Sequence, residues 1–298
     1  MHFNFSMSDF INQKLREIID RNTSVAEADW LTQKGASGAM ELMTGFVASP
    51  RFLSKKIVDV SAENAFDLNL EIPGFSVNGW SLVRLSRVWL LMQLDSSDKE
   101  SYVKNIETLF DTAEMNELVA LYSALPVLSY PDQWLFRATD AVRSNMGFVF
   151  DAIALHNPYP EQYFSESAWN QLVLKTIFND KPVHFIQGLE NRMNENLALT
   201  LSDFAHERWA AGRSVAPEVW RLVSKFMNDI LVSDMLHLLE SGQLLNQQAA
   251  AIACYESGYE PAKQLISKYP DLEKSVSAGE LSWENLEITD LNTYVPQP

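Results

Sequence analysis

Cysteine is nearly absent: the 298-residue chain has one, Cys254. A lone cysteine excludes an internal disulfide and any metal site built on paired thiolates. Its setting, Ala250-Ala251-Ile252-Ala253-Cys254-Tyr255, reads as packed helix, so the thiol is expected to act as a small buried hydrophobe rather than a nucleophile. Basic residues are scarce as well. Lys and Arg number 23 against 39 Asp and Glu, for a formal net charge of -16. Such a surface repels phosphate backbones and anionic bilayers, so neither nucleic acid nor a membrane surface is an expected partner. Solubility accounts for the excess of acid. Long hydrophobic runs are missing. The most apolar segment, Val88-Trp89-Leu90-Leu91-Met92, is far too short to span a bilayer. Met1-His2-Phe3-Asn4-Phe5-Ser6-Met7 lacks the basic stretch and apolar run of an export signal. A cytoplasmic protein without membrane insertion is the expectation. Strict apolar–polar alternation is also rare. Only Leu68-Asn69-Leu70-Glu71-Ile72 shows it, and Pro73-Gly74 cuts it off.

The sequence signatures of common chemistries are missing too. Gly35-Ala36-Ser37-Gly38 has neither the lysine nor the preceding strand of a phosphate loop, and no dinucleotide fingerprint occurs. No serine has the flanking glycines of a nucleophile elbow. No two histidines stand at i and i+4 around a glutamate, as zinc peptidases require. Neither a cofactor nor a metal is expected. Asp203 and His206, at i and i+3 on one helical face with Glu207 adjoining, could share a metal. The favoured reading is a helix-packing imidazole bonded to its neighbours. Arg137 and Asp140, also at i and i+3, read as a solvated ion pair.

What is present is helical periodicity. Hydrophobic residues make up 47% of the chain, and eight Trp are available to fill a core. Trp169, Leu172, Val173 and Ile177 form one stripe; Val219, Val223, Phe226, Met227 and Ile230 repeat it; Leu118, Leu121, Tyr122 and Leu125 form a shorter one. Pro and Gly fall between the stripes, where helices begin and end. Ser165 reads as the cap of the Trp169 stripe, and Ser202-Asp203 and Ser233-Asp234 as other starts or kinks. The fold class is therefore all-α. Short links favour helix hairpins. Asp151–His156 followed by Trp169–Val173, and Asp203–His206 followed by Trp220–Val223, give a faint period of about 50 residues, near the range of helical repeats. The expectation is a HEAT/armadillo-like stack of antiparallel helix pairs, with Trp169 and Trp220 buried at equivalent places. Residues 1–79 form a less regular helical segment, in which Gly35, Gly38 and Gly45 either break helices or permit close packing. The repeat region is 80–298, after a lapse of pattern at 71–79, and the whole reads as one continuous domain, 1–298. Only the end, Tyr294-Val295-Pro296-Gln297-Pro298, suggests disorder.

Two stretches concentrate unusual residues. In His156-Asn157-Pro158-Tyr159-Pro160, with Tyr163-Phe164, two prolines stiffen a link crowded with rings. It is either a rigid connector that plugs the core or the wall of a pocket for a flat organic ligand. The second is His206-Glu207-Arg208-Trp209-Ala210-Ala211-Gly212-Arg213. If repeats stack, His156, Asn157, Tyr159, His206, Glu207 and Arg208 converge on one face as a ligand-binding cluster, or as a hydrogen-bonded strut between repeats.

The same stretches carry a resemblance. His156–Pro160 with Ala168-Trp169-Asn170-Gln171-Leu172-Val173-Leu174-Lys175, and Ala205–Arg213 with Trp220–Val223, look like signature blocks of the EboA family; Arg143-Ser144-Asn145 resembles a third. The likeness is dense from about Pro131 to Phe226 and brings no catalytic residues with it. It implies a cytoplasmic helper in the traffic of a secondary metabolite or its precursor. Its partners would be that small molecule or other proteins of the same gene cluster. A binding or adaptor role is the expectation. The alternative is an enzyme of unrecognised type, using His156, His206 and Glu207 as acid/base or metal groups.

Overall fold

A computed structural model describes residues 7–290; His2 and the expected disorder at Tyr294–Pro298 lie outside them. All regular secondary structure among the described residues is helical. Their one β-type pairing is an isolated bridge between Ile57 and Ser81. The chain divides into two compact units, 1–169 and 170–298.

The first unit contains α1 (Met7–Asn22), α2 (Val25–Gly35), α3 (Ala39–Phe52), α4 (Ala62–Glu71), α5 (Leu82–Leu91), α6 (Lys99–Thr112), α7 (Met115–Ala124), α8 (Leu135–Arg143), α9 (Gly147–Ala154) and α10 (Tyr159–Tyr163). Its axis is α5, buried on nearly every side and packed against α1, α2, α3 and α7, although it carries Arg84, Ser86 and Arg87. Gly35 ends α2 where the Trp89 ring presses in, and a Cβ there would lie 2.4 Å from that ring. Gly38 precedes the first turn of α3, and Gly45 lets the Lys34 stem lie along α3. The glycines thus both break and pack.

Proline and charge meet at the centre of this unit. Pro50 lies inside α3 and brings no N–H to the carbonyl four residues earlier, that of Phe46. Arg87 of α5 supplies the missing donor, with its Nε 2.9 Å from the Phe46 oxygen. Its Nη2 lies 3.2 Å from Glu117 Oε1 on α7, and both side chains are buried. Glu117 also accepts the Glu114 N–H in a capping box at the start of α7.

The alternation at Leu68–Ile72 is not a strand. It ends α4: Leu68 and Ile72 are buried and Leu70 is exposed. One residue every four is a helical spacing, and four to five residues are too few to separate the two periods. Arg137 does not pair with Asp140. It reaches Glu107 and Asp111 of α6, while Asp140 meets Arg143.

The division between the units falls within α11 (Glu166–Phe178). Ser165 caps it through the Ala168 N–H, and its stripe Trp169, Leu172, Val173 and Ile177 is buried. The second unit continues with α12 (Glu195–Ala210), α13 (Asp229–Glu240), α14 (Leu244–Glu256), α15 (Glu260–Ile266), α16 (Pro270–Ser277) and α17 (Trp283–Asp290). Its axis is α14, whose run Ala249–Cys254 is wholly buried and whose small side chains admit α13, α15, α16 and α17 closely. Cys254 is buried there as expected, and burial pushes its thiol up to about 12.

The stripe from Val219 to Ile230 is not one α-helix. Two 3₁₀ turns, Pro217–Leu222 and Ser224–Phe226, precede α13, which Asn228 caps. Val219, Trp220 and Val223 are buried, but Ile230 is exposed. Trp220 therefore sits in a 3₁₀ turn, whereas Trp169 sits in an α-helix, so the structure does not carry the sequence repeat through this point. Ser202-Asp203 and Ser233-Asp234 lie inside α12 and α13 rather than at their starts.

Candidate functional site

Of the six residues singled out from the sequence, three belong to the first unit. His156 is exposed, at φ 53, and turns the chain out of α9. Asn157 is buried. Its Nδ2 donates to the carbonyls of Tyr122 (3.0 Å) and Ala152 (2.8 Å), and its Oδ1 accepts the Tyr159 N–H (3.0 Å). Tyr159 is fully buried, donates its hydroxyl to the Pro131 carbonyl at 2.6 Å, and packs on Tyr163. Asn157 and Tyr159 have thus placed their polar groups on the protein itself, in the manner of a rigid connector.

The other three lie on α12. His206 is half-exposed, with Nε2 2.5 Å from Asp234 on α13. Asp234 is buried and also accepts the Ser202 hydroxyl, at 2.5 Å. His206 therefore turns to a neighbouring helix and not to Asp203. The serine meets the carboxylate and not the imidazole, so this is no nucleophile–base arrangement. Arg208 donates to the Ser214 carbonyl at 2.6 Å, and Glu207 is exposed.

A different group in the second unit has the features of a site. After α11, Asp180 (φ 51) and Pro182 turn the chain into a short 3₁₀ segment, Val183–Phe185, that carries His184. The loop then bends at Gly188 (φ 75), whose carbonyl accepts the Asn191 and Arg192 N–H groups. Opposite stands the Pro217–Leu222 turn. A 3₁₀ helix has three residues per turn, so residues i and i+3 eclipse. Glu218 and Arg221 therefore project from one face, while Val219, Trp220 and Leu222 are buried around them.

His184 Nδ1 lies 2.6 Å from Glu218 Oε2, and both side chains are buried. The other Glu218 oxygen accepts the Val183 N–H at 3.3 Å. A carboxylate only accepts, so His184 Nδ1 donates to it. The Nε2 of His184 is buried with no hydrogen-bond partner. Buried polar atoms without partners are few in native proteins, and each calls for an explanation. His184 lines a cleft of about 220 Å³ together with Ile186, Leu189, Glu190, Asn191 and Arg221.

Arg221 is fixed from two sides. Its Nε lies 2.7 Å from Glu190 and its Nη1 bonds to Glu287 of α17. The Trp283 ring lies 5.9 Å from the guanidinium. Glu284, also on α17, is held below the usual carboxylate range by hydrogen bonds from its own backbone and Ser282, with the Arg221 charge adding. Among the described residues no group of three or more His, Cys, Asp or Glu is placed to hold a metal ion. The carboxylate–imidazole pair can orient a bound molecule or accept a proton from it.

The sequence reading missed Glu218 and Arg221. The available signal was two opposite charges, three apart, inside the apolar window Val215–Val223 behind a proline. No helix among the described residues is long and apolar enough to cross a membrane. A comparison with curated proteins gives no match, and one with solved structures gives none. Residues 11–224, a span that contains His184, Glu218 and Arg221, match the family described as "Metabolite traffic protein EboA", and the chain belongs to that family.

Proposed function

We propose that the chain binds a small metabolite in the His184–Arg221 cleft and takes part in that molecule's traffic in the cytoplasm. The observation that carries this reading is a cleft lined by His184, whose Nδ1 is held by Glu218 and whose buried Nε2 has no partner. The family description supports the metabolite. The cleft is smaller than the roughly 300–1,000 Å³ of pockets for drug-sized ligands, so it takes a compact molecule or one end of a longer one. His206 and Glu207, the exposed members of the sequence-derived cluster on α12, form the competing site. Other proteins of the gene cluster would deliver or receive the molecule.

The alternative is catalysis. A buried carboxylate that orients an imidazole with a bare second nitrogen is a general-base arrangement, and it favours an enzyme acting on the same metabolite. One experiment serves both readings. The protein is incubated with a small-molecule extract of its host, desalted, denatured and analysed by mass spectrometry. Leu189→Trp, which fills the cleft, is the control. A compound retained by the wild type and lost from the variant supports binding, and a released compound of altered mass supports catalysis. Retention of nothing, or equal retention by both proteins, refutes the cleft as the binding site.

A further inference from the structure

The link from α3 to α4 holds an extended backbone whose outer edge is bare. Its inner edge is taken. The Val58 N–H donates to the Trp80 carbonyl at 2.9 Å, and the Leu82 N–H to the Lys56 carbonyl at 2.8 Å. Ile57 and Ser81, the antiparallel bridge between those bonds, are a pair that exchanges no hydrogen bond itself. In such a pair each residue's own N–H and C=O point away from the other chain segment. Those of Ile57 find no partner among the described residues. The segment is pinned at both ends. Ser54 donates its N–H to Glu27 Oε1 at 2.7 Å. Asn22 accepts the Asp59 N–H at 2.9 Å and donates to the Asp59 carbonyl at 2.8 Å. An edge held this way needs little ordering to accept another strand. Charge says which strand. Arg51, Lys55 and Lys56 are exposed, and none makes a salt bridge to another described residue. Such a basic cluster is unusual in a chain of net charge -16. Of the neighbouring acids, Glu27 is spent on the Ser24 and Ser54 N–H groups, and Asp59 stands past the bridge. Ile57, 57% exposed, and Phe52, stacked on Trp30 at 4.8 Å, add apolar surface on either side of the lysines.

We infer that this edge is a docking site for an extended acidic segment of a partner protein, which adds as a strand alongside residues 55–57. The segment's backbone bonds to the Ile57 N–H and C=O, and its carboxylates meet Arg51, Lys55 and Lys56. The inference is independent of the His184 cleft. Blocked peptides of about seven residues, an ordinary strand length, test it. They alternate Val with Glu, Thr or Lys. Each is titrated into the full chain carrying ¹⁵N-isoleucine, and dye-labelled forms report affinity by anisotropy. The Glu peptide is expected to shift the Ile57 amide resonance and to bind at least roughly tenfold tighter than the Thr peptide, while the Lys peptide does not bind. Ile57→Pro removes an N–H that the fold leaves unused, and abolishes binding. Ile57→Thr keeps that N–H and retains binding. Lys55→Glu/Lys56→Glu loses the Glu peptide and gains the Lys peptide. Four results overturn the inference. The Glu peptide leaves the Ile57 amide unmoved at about 1 mM; the Glu and Lys peptides bind equally; Ile57→Pro folds normally and binds as the wild type does; or sedimentation shows dimers that Ile57→Pro dissolves, which gives the edge to a second copy. If Ile57→Pro fails to fold, the charge-reversed variant decides, and an unchanged preference for the Glu peptide overturns the inference.

Discussion

Glu117→Gln isolates the charge at the centre of the first unit. The side chain keeps its size and can still accept the Glu114 N–H that caps α7. Only the negative partner of Arg87 is lost. The Arg87 side chain is 1% exposed and that of Glu117 7%, so the guanidinium left behind has no water to turn to. Burial already pulls Arg87 below its ordinary value, against the pull of Glu117 and Glu114. Breaking a buried pair from one side costs about 3–5 kcal/mol. At about 2–4 °C per kcal/mol for a unit of this size, Tm should fall by roughly 6–20 °C. The double variant Arg87→Met/Glu117→Leu removes both charges and leaves the Phe46 carbonyl without the donor that Pro50 already denies it. Its cost should be about 1–3 kcal/mol, below that of the single variant. Urea melts followed by circular dichroism measure both. A loss under about 1 kcal/mol for Glu117→Gln would mean that this pair is solvated and the reasoning wrong.

Trp220→Ala should destabilise by about 3–5 kcal/mol, because the ring is fully buried and stacks on Trp209 at 5.7 Å; a urea melt showing under about 1 kcal/mol would contradict this. Glu27 should make stability fall with acid. Its carboxylate accepts the Ser24 and Ser54 N–H groups, and the Ser24 backbone bond foremost draws it from 4.5 down to about 2. A depressed folded-state value contributes stability that is complete above the unfolded value and is lost as pH falls through the folded one. Thermal melts between about pH 5 and 2 should therefore show a shallower decline for Glu27→Gln than for the wild type, and parallel declines would exclude the contribution.

The all-α class was legible because stripes such as Trp169, Leu172, Val173 and Ile177 run long enough to fix a period. The same logic misread Val219–Ile230. A 3₁₀ turn also buries apolar residues three apart, and Pro217 with the Asn228 cap decides between the two forms. Family membership was legible in the blocks around His156 and His206, whose distinctive residues do structural work in part: Asn157 and Tyr159 spend their polar groups holding a connector. The cleft was not legible. Its imidazole and carboxylate stand 34 residues apart, and only the fold brings them to 2.6 Å. The partners of Arg221 include Glu287, outside the span of the family match.

The most direct measurement of the central claim is a crystal structure of the chain loaded with the host compound it retains. The expected density lies in the cleft between His184 and Arg221, with a polar atom of the ligand within hydrogen-bond distance of His184. Density at His206 and Glu207, with the His184 cleft unchanged, would contradict it.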